Sequence, residues 1–121
     1  MKTIIAGSRS ITEMKHIETA IVLSNFNITE VVCGMASGVD TLGLQWAKTQ
    51  KIKVAEFPAF WAQEGKLAGI KRNVRMGNYA DVLIAIWDGS SKGTDHMIRW
   101  MKKMEKPIFV YKPFETNLYE F

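Results

Sequence analysis

The sequence predicts an α/β protein built as a doubly wound parallel sheet of five strands with helices on both faces. Three observations point there. Short apolar runs alternate with stretches of helical spacing along the whole chain, the pattern of parallel strands joined by helical crossovers. Three of the runs end in glycine-bearing turns that lead into a helix. Residues 3–6 and 82–86 are apolar without alternation, as expected of strands buried on both faces.

The first strand is Thr3, Ile4, Ile5 and Ala6, and it stops at Gly7. Ser10 and Glu13 have the spacing of a capping box, so the first helix is expected to start there, with Met14, Ile17 and Ile21 at helical spacing. The second strand, 30–33, closes on Gly34-Met35-Ala36-Ser37-Gly38, and Leu42, Trp46 and Ala47 mark a helix running to about Gln50. Residues 52–57 alternate enough to lie near a sheet edge, and Pro58 ends them because proline donates no ladder hydrogen bond. Residues 59–66 read as a loop, and 68–79 as a basic, weakly amphipathic helix. The fourth strand lies within 81–87 and runs into the polar turn 88–94. Met97, Ile98, Met101 and Met104 stripe the last helix, a pattern of core packing rather than of ligands. Residues 107–111 supply the fifth strand. Ligands of such sheets sit beyond the carboxyl ends of the strands, where the winding direction reverses. The unusual residues of this chain fall at those ends.

The 121 residues fit one domain, with a core over 3–111 and an aromatic tail over 112–121. A chain of this size buries roughly two thirds of its extended surface and needs no disulfide or structural metal. A hydrophobic content of 47%, with 11% aromatic, excludes a disordered tail. Sixteen Lys and Arg against twelve Asp and Glu leave +4, which suits an anionic small molecule as well as nucleic acid. Cys33 is the single cysteine, so an intrachain disulfide and a cysteine-based metal cluster are excluded, and it reads as a buried strand residue. The apolar run before Gly7 is too short for a signal segment, and no stretch approaches the ~20 apolar residues of a membrane span. A soluble cytoplasmic protein without membrane contact is expected.

Glycine-bearing turns follow strands one, two and four: Gly7-Ser8-Arg9, Gly34 to Gly38 with Asp40, and Gly89 to Gly93 with Thr94. Glycine lets backbone approach a ligand closely, and amides at a helix N-terminus offer donors and partial positive charge to an anion. Glycine also ends strands for conformational reasons alone, but three such turns would meet on one rim of the sheet. None is a Walker motif or Gly-x-Gly-x-x-Gly, so a triphosphate-hydrolysing P-loop enzyme is not expected. The length does not accommodate a two-domain NAD dehydrogenase.

Residues 65–76 carry Lys66, Lys71, Arg72 and Arg75 with no acid among them. Either this is a solvated helix face, or Arg72 and Asn73 turn into the crevice. In the second case Arg72 forks onto phosphate or carboxylate and Asn73 reads a sugar or base edge. Arg9 would be a second cation on that rim. Trp61 and Trp87, near strand termini, serve as core lids or as base-stacking platforms. His16 reads as surface, and His96 follows Gly93-Thr94 without a carboxylate to orient it. No nucleophile is paired with a base at a recognisable spacing.

Several segments then fall in a recognisable order: Ile4-Ile5-Ala6-Gly7-Ser8-Arg9, Cys33-Gly34-Met35-Ala36-Ser37-Gly38-Val39-Asp40, Phe57-Pro58-Ala59-Phe60-Trp61, Ala68-Gly69-Ile70-Lys71-Arg72-Asn73 with Met76, and Trp87-Asp88-Gly89 through Gly93-Thr94. This order resembles the YspA/YpsA-related branch of the SLOG superfamily, small proteins of bacteria and phages, over residues 3–111. The resemblance implies a Rossmann-like fold with strand order 3-2-1-4-5. It also implies a nucleotide-related ligand, phosphorylated or ADP-ribose-like, at the carboxyl edge of the sheet, with no cofactor or metal required. The residues implied are Gly7, Ser8, Arg9, Gly34, Gly38, Asp40, Arg72, Asn73, Asp88, Gly89, Gly93 and Thr94.

The superfamily includes the DNA-processing protein DprA and the Lonely Guy phosphoribohydrolases, which cleave the N-glycosidic bond of a nucleoside monophosphate with an arginine and the glutamate of a Gly-Gly-x-Gly-Thr-x-x-Glu motif. Gly93-Thr94 matches its Gly-Thr, Ser90 and Ser91 depart from its glycine pair, and Met97 stands in the glutamate position. A thioether is no base, so a hydrolase here would draw its carboxylate from Asp40, Asp88 or Asp95.

Three functions stay open. A nucleotide-binding sensor or sequestering module is favoured by the converging glycines with Arg9 and Arg72 and the lack of a catalytic dyad. An enzyme acting at a nucleotide's glycosidic bond would use Asp40 or Asp88, with Arg72 on the phosphate. A nucleic-acid binder fits the basic balance, but a single-strand binder interleaves aromatics with its cations, and the cationic helix has only Tyr79 at its end. Phe114, Tyr119 and Phe121 either pair with a second copy of the chain, giving the homodimer or larger oligomer common among SLOG relatives, or fold back on the sheet.

Overall fold

The structure, a computed structural model, describes residues 1–114. Strands β1 (Lys2–Gly7), β2 (Glu30–Gly34), β3 (Lys53–Phe57), β4 (Val82–Ile86) and β5 (Ile108–Tyr111) form one parallel sheet in the order β3-β2-β1-β4-β5. Helices α1 (Met14–Ser24) and α2 (Val39–Thr49) cover one face. The one-turn helix α3 (Trp61–Glu64) leads towards α4 (Ala68–Tyr79), which covers the other face with α5 (Lys92–Lys103). The chain winds outward from β1 to β3, then restarts at β4 on the other side of β1. That reversal parts the loops above β1 and β4 and opens a crevice at their carboxyl ends.

Alternation along the central strands divides the core in two. Ile4, Val32, Leu83 and Ala85 face α4 and α5, where Met76, Met97, Ile98 and Met101 pack on them. Ile5, Val31, Ile84 and Ile86 face α1 and α2, against Ile17, Ala20, Val39 and Ala47. Burying one such isoleucine fully stabilises the fold by about 1.5–3 kcal/mol, and the central strands are apolar on both faces because both are covered. β3 and β5 carry half-buried residues, as edge strands do.

Several expectations are corrected. Ser10 and Glu13 form no capping box: α1 starts at Met14 with Glu13 in the cap position and no side-chain cap, because the Ser10 hydroxyl donates instead to Asp88 Oδ2 at 3.4 Å. Residues 59–66 are not all loop. They contain α3 and the start of a 3₁₀ turn (Gly65–Leu67), held down where Arg75 pairs with Glu64 at 3.3 Å and donates to the Pro58 carbonyl at 3.2 Å. Met104 leaves the methionine stripe and is exposed, since α5 ends one residue earlier. Trp61 is no core lid, being 57% exposed. His16 is half-buried rather than free on the surface and meets exposed Phe114 edge-on, with centroids 5.6 Å apart. Tyr119 and Phe121, on which the pairing or folding back of the tail depends, lie outside the described residues. Among the described residues no helix is long and apolar enough to cross a membrane.

Candidate functional site

The crevice at the switch point encloses about 380 Å³. The end of β1 and the loop after it contribute Gly7, Arg9 and Ser10, and the loop before α2 and its first turn contribute Ala36 and Asp40. Helix α4 contributes Arg72, Asn73 and Met76 across one inner face. Asp88, Ser91, Gly93, Thr94 and Met97 close it from the loop after β4 and the first turns of α5.

Arg72 is the one cation of its segment that enters. Arg75 is engaged with Glu64 and Pro58 and lies over the Phe60 ring at 4.8 Å, while Lys66 and Lys71 are exposed. The Arg72 guanidinium lies across Gly34, where a Cβ would overlap its Nη1. Glycine at that position is therefore what lets arginine reach over the end of β2. Its Nε donates to Asn73 Oδ1 at 3.2 Å, and it is in none of the ion pairs among the described residues. Burial lowers its pKa, opposed by nearby Asp40. Half-buried and outside the ion pairs of the described residues, the guanidinium keeps donors that no carboxylate there accepts.

Asn73 lines the crevice and also makes contacts the sequence does not suggest. Its amide nitrogen donates to the Gly93 carbonyl at 3.1 Å and bonds His96 Nδ1 at 3.2 Å, and its oxygen accepts from Arg72. With both donors and one lone pair of its oxygen engaged, it braces Arg72 against the start of α5 and keeps one acceptor lone pair. Burial lowers the pKa of His96, which fits a neutral ring whose Nδ1 accepts from Asn73.

The two crevice carboxylates differ sharply. Asp40 is buried and, among the described residues, accepts one hydrogen bond, from the Ala36 N–H at 3.2 Å. Burial pushes its pKa up to about 6, against the pull of that bond and of Arg72 and Arg9. Asp88 is exposed, and its Oδ1 accepts from the N–H groups of Ser90 at 2.8 Å and Ser91 at 2.9 Å, which hold its pKa down at about 2. Near neutrality Asp88 is ionised, and Asp40 can carry a proton. Behind Asp40, burial and the neighbouring Asp40 and Glu56 push the Cys33 thiol up to about 12, so it is an unreactive core group.

Of the residues singled out in the sequence, Gly7, Arg9, Asp40, Arg72, Asn73, Asp88, Gly93 and Thr94 meet in the crevice. Ser8, Gly34, Gly38 and Gly89 do not line it. Ser8 is buried, its hydroxyl accepting from the Asp88 N–H at 2.9 Å, so it ties two loops together. Gly38, with φ +73°, packs against the backbone of Ser8 and Arg9. Gly89, with φ +88°, has nothing within 4 Å of where a Cβ would stand. The sequence reading missed Ala6, Ser10, Ala36, Met76, Ser91 and Met97 as lining residues. For Ser10 and Ser91 the available signal was their place directly beyond strands β1 and β4.

Fold and site together define a class: a small Rossmann-like α/β domain with a cation-bearing crevice at the carboxyl rim of its sheet. Within that class, residues 1–63, more than half of the chain, match the model of YAcAr, the YspA, cpYpsA-related SLOG family, and the chain belongs to that family. The X-ray structure of DNA processing protein A (DprA) from Streptococcus pneumoniae has the same fold, with a TM-score of 0.74 at 15% sequence identity over 98% of this chain. The chain spans about half of that protein, 52% of its length. No curated protein matches it.

Proposed function

We propose that the crevice binds the phosphate of a nucleotide or nucleotide-derived ligand, and that the domain acts as a sensor or sequestering module. The observation that carries this reading is the Arg72 guanidinium, half-buried, braced by Asn73 and without an ion-pair partner among the described residues. It forks onto two phosphate oxygens. The first turn of α5 faces the same space through Gly93 and Thr94, and its amides lack a capping side chain, which favours an anion there. Arg9 closes the site from the loop after β1. Membership of the SLOG family supports the same ligand class.

A calorimetric panel of inorganic phosphate, ribose 5-phosphate, nucleoside mono- and diphosphates and ADP-ribose tests this. At least one compound is expected to bind, and Arg72→Ala is expected to weaken it by about 100-fold, the loss of two charge-assisted hydrogen bonds. A panel with no binder overturns the reading.

A second reading, cleavage at the glycosidic bond of such a nucleotide, is favoured by the contrast between the carboxylates. Asp40, at about 6, can donate a proton, and Asp88, at about 2, stays ionised to stabilise positive charge. Incubation with nucleoside monophosphates and NAD, followed by chromatography, decides it. Turnover abolished by Asp40→Asn with binding retained supports it, and intact substrates at high protein concentration sink it.

A further inference from the structure

Beside the crevice, on the other side of the Asp88 turn, lies a second concavity of about 260 Å³ lined by Trp87, Asp88, Gly89, Lys112 and Phe114. We propose that this slot is an aromatic-ring subsite, which takes the base of the nucleotide whose phosphate occupies the crevice. The inference rests on the phosphate reading above and adds to it a place and a chemistry for the rest of the ligand.

Topology puts the two concavities side by side. Trp87 follows β4 directly and Lys112 follows β5 directly, and these strands are neighbours, so the slot opens on the same carboxyl rim as the crevice. Asp88 lines both. The ridge between them is the turn after Asp88, fixed in shape by the bonds from Ser90 and Ser91 to the Asp88 carboxylate. At its crest Gly89 has φ +88°, and nothing lies within 4 Å of where a Cβ would stand. A ligand can therefore cross the ridge from crevice to slot without meeting a side chain there.

The floor of the slot is organised in advance. The Trp87 backbone N–H donates to the Tyr111 carbonyl at 2.9 Å, and its indole N–H donates to the Ser91 carbonyl at 3.1 Å. Ring and backbone are pinned at opposite ends, so the indole loses little freedom when a second ring stacks on it. The Lys112 ammonium lies over that indole, 5.3 Å from its centre, and as an exposed side chain it can be displaced by a stacking base and then meet the base's nitrogen and carbonyl acceptors. Phe114 stands at the slot's edge, 61% exposed and propped against His16. A pinned indole, a second open ring and an exposed cation suit a flat, polarisable ring that carries acceptors. Stacking a base on an aromatic side chain contributes enough to raise affinity by about tenfold or more.

The test compares ribose 5-phosphate with the four common nucleoside 5′-monophosphates by calorimetry, on the full chain and on Trp87→Ala, Lys112→Ala and Phe114→Ala. At least one nucleotide is expected to bind about tenfold more tightly than ribose 5-phosphate. The Trp87 and Phe114 variants are expected to narrow that gap to within about threefold and to leave ribose 5-phosphate affinity unchanged. Trp87 also packs on the core; if Trp87→Ala does not fold, the exposed Lys112 and Phe114 positions carry the test. Nucleotides and ribose 5-phosphate binding equally, or a gap that survives every folded variant, overturns this inference alone. Binding of none of these compounds overturns this inference, and the phosphate reading falls with it when inorganic phosphate, nucleoside diphosphates and ADP-ribose do not bind either.

Discussion

The two ends of the sheet treat their polar groups in opposite ways. At the amino end the charged groups find partners inside the chain, though the buried Trp100 indole N–H beside Gly77 has none among the described residues: buried Glu30 accepts from the Tyr79 hydroxyl and pairs with Lys53 at 3.5 Å, and the Lys2 N–H donates to Asp81 at 2.8 Å. Lys106 reaches the end of α4 and donates to the carbonyls of Gly77 and Ala80, each at 2.7 Å. At the carboxyl end, among the described residues, Arg72 and Arg9 enter no ion pair and buried Asp40 accepts a single hydrogen bond. Both ends carry charge, so charge alone does not separate support from function. The separation lies in whether a charged group finds its partner inside the chain or leaves it to come from outside.

The contrast is sharpest at Asp40. Its folded pKa of about 6 lies above the ~3.9 of an unfolded aspartate, so the folded state holds an extra proton between about pH 4 and pH 6. The stability it contributes is fully present below about pH 4 and is lost as pH rises through about 6, a change of roughly 2–3 kcal/mol. Asp40→Asn is expected to match the wild type in thermal melts at pH 4 and to melt several degrees higher at pH 8. It is also expected to bind phosphate compounds more tightly above pH 6, where the charged carboxylate repels them. Glu30→Ala, at the paired end, is expected to cost about 2 kcal/mol in denaturant unfolding and to leave ligand affinity unchanged. Gly34→Ala belongs to the open end. The new methyl group displaces the Arg72 guanidinium, and ligand affinity is expected to fall about tenfold with a smaller change in melting temperature.

Most of the fold was legible because the central strands are buried on both faces and their apolar runs are unbroken. What escaped was set by contacts distant in sequence. The serine at position 10 is a sound helix cap by local rules, but a carboxylate 78 residues away takes its hydroxyl. Residues 61–64 have no apolar period, and their helical turn depends on Arg75 clasping Glu64 from α4. The site was legible where a polar residue sits just beyond a strand, as with Arg9, Asp40 and Asp88. Roles within it were less so. Asn73 looks like a ligand reader from its type, and only the positions of Gly93 and His96 show that its amide is already engaged. Nor does sequence tell a glycine that clears room for Arg72, Gly34, from one with nothing within 4 Å of where a Cβ would stand, Gly89.

One paired measurement tests the division between the two ends most directly: thermal melts and ribose 5-phosphate calorimetry on Arg72→Ala and Lys106→Ala. Each removes one cation, one from each end. Arg72→Ala is expected to lose about 100-fold in affinity while its melting temperature stays within about 2 °C of wild type. Lys106→Ala is expected to melt several degrees lower, because the end of α4 loses its cap, with affinity unchanged. An Arg72→Ala protein that binds ribose 5-phosphate as tightly as the wild type would contradict a phosphate site at the carboxyl rim.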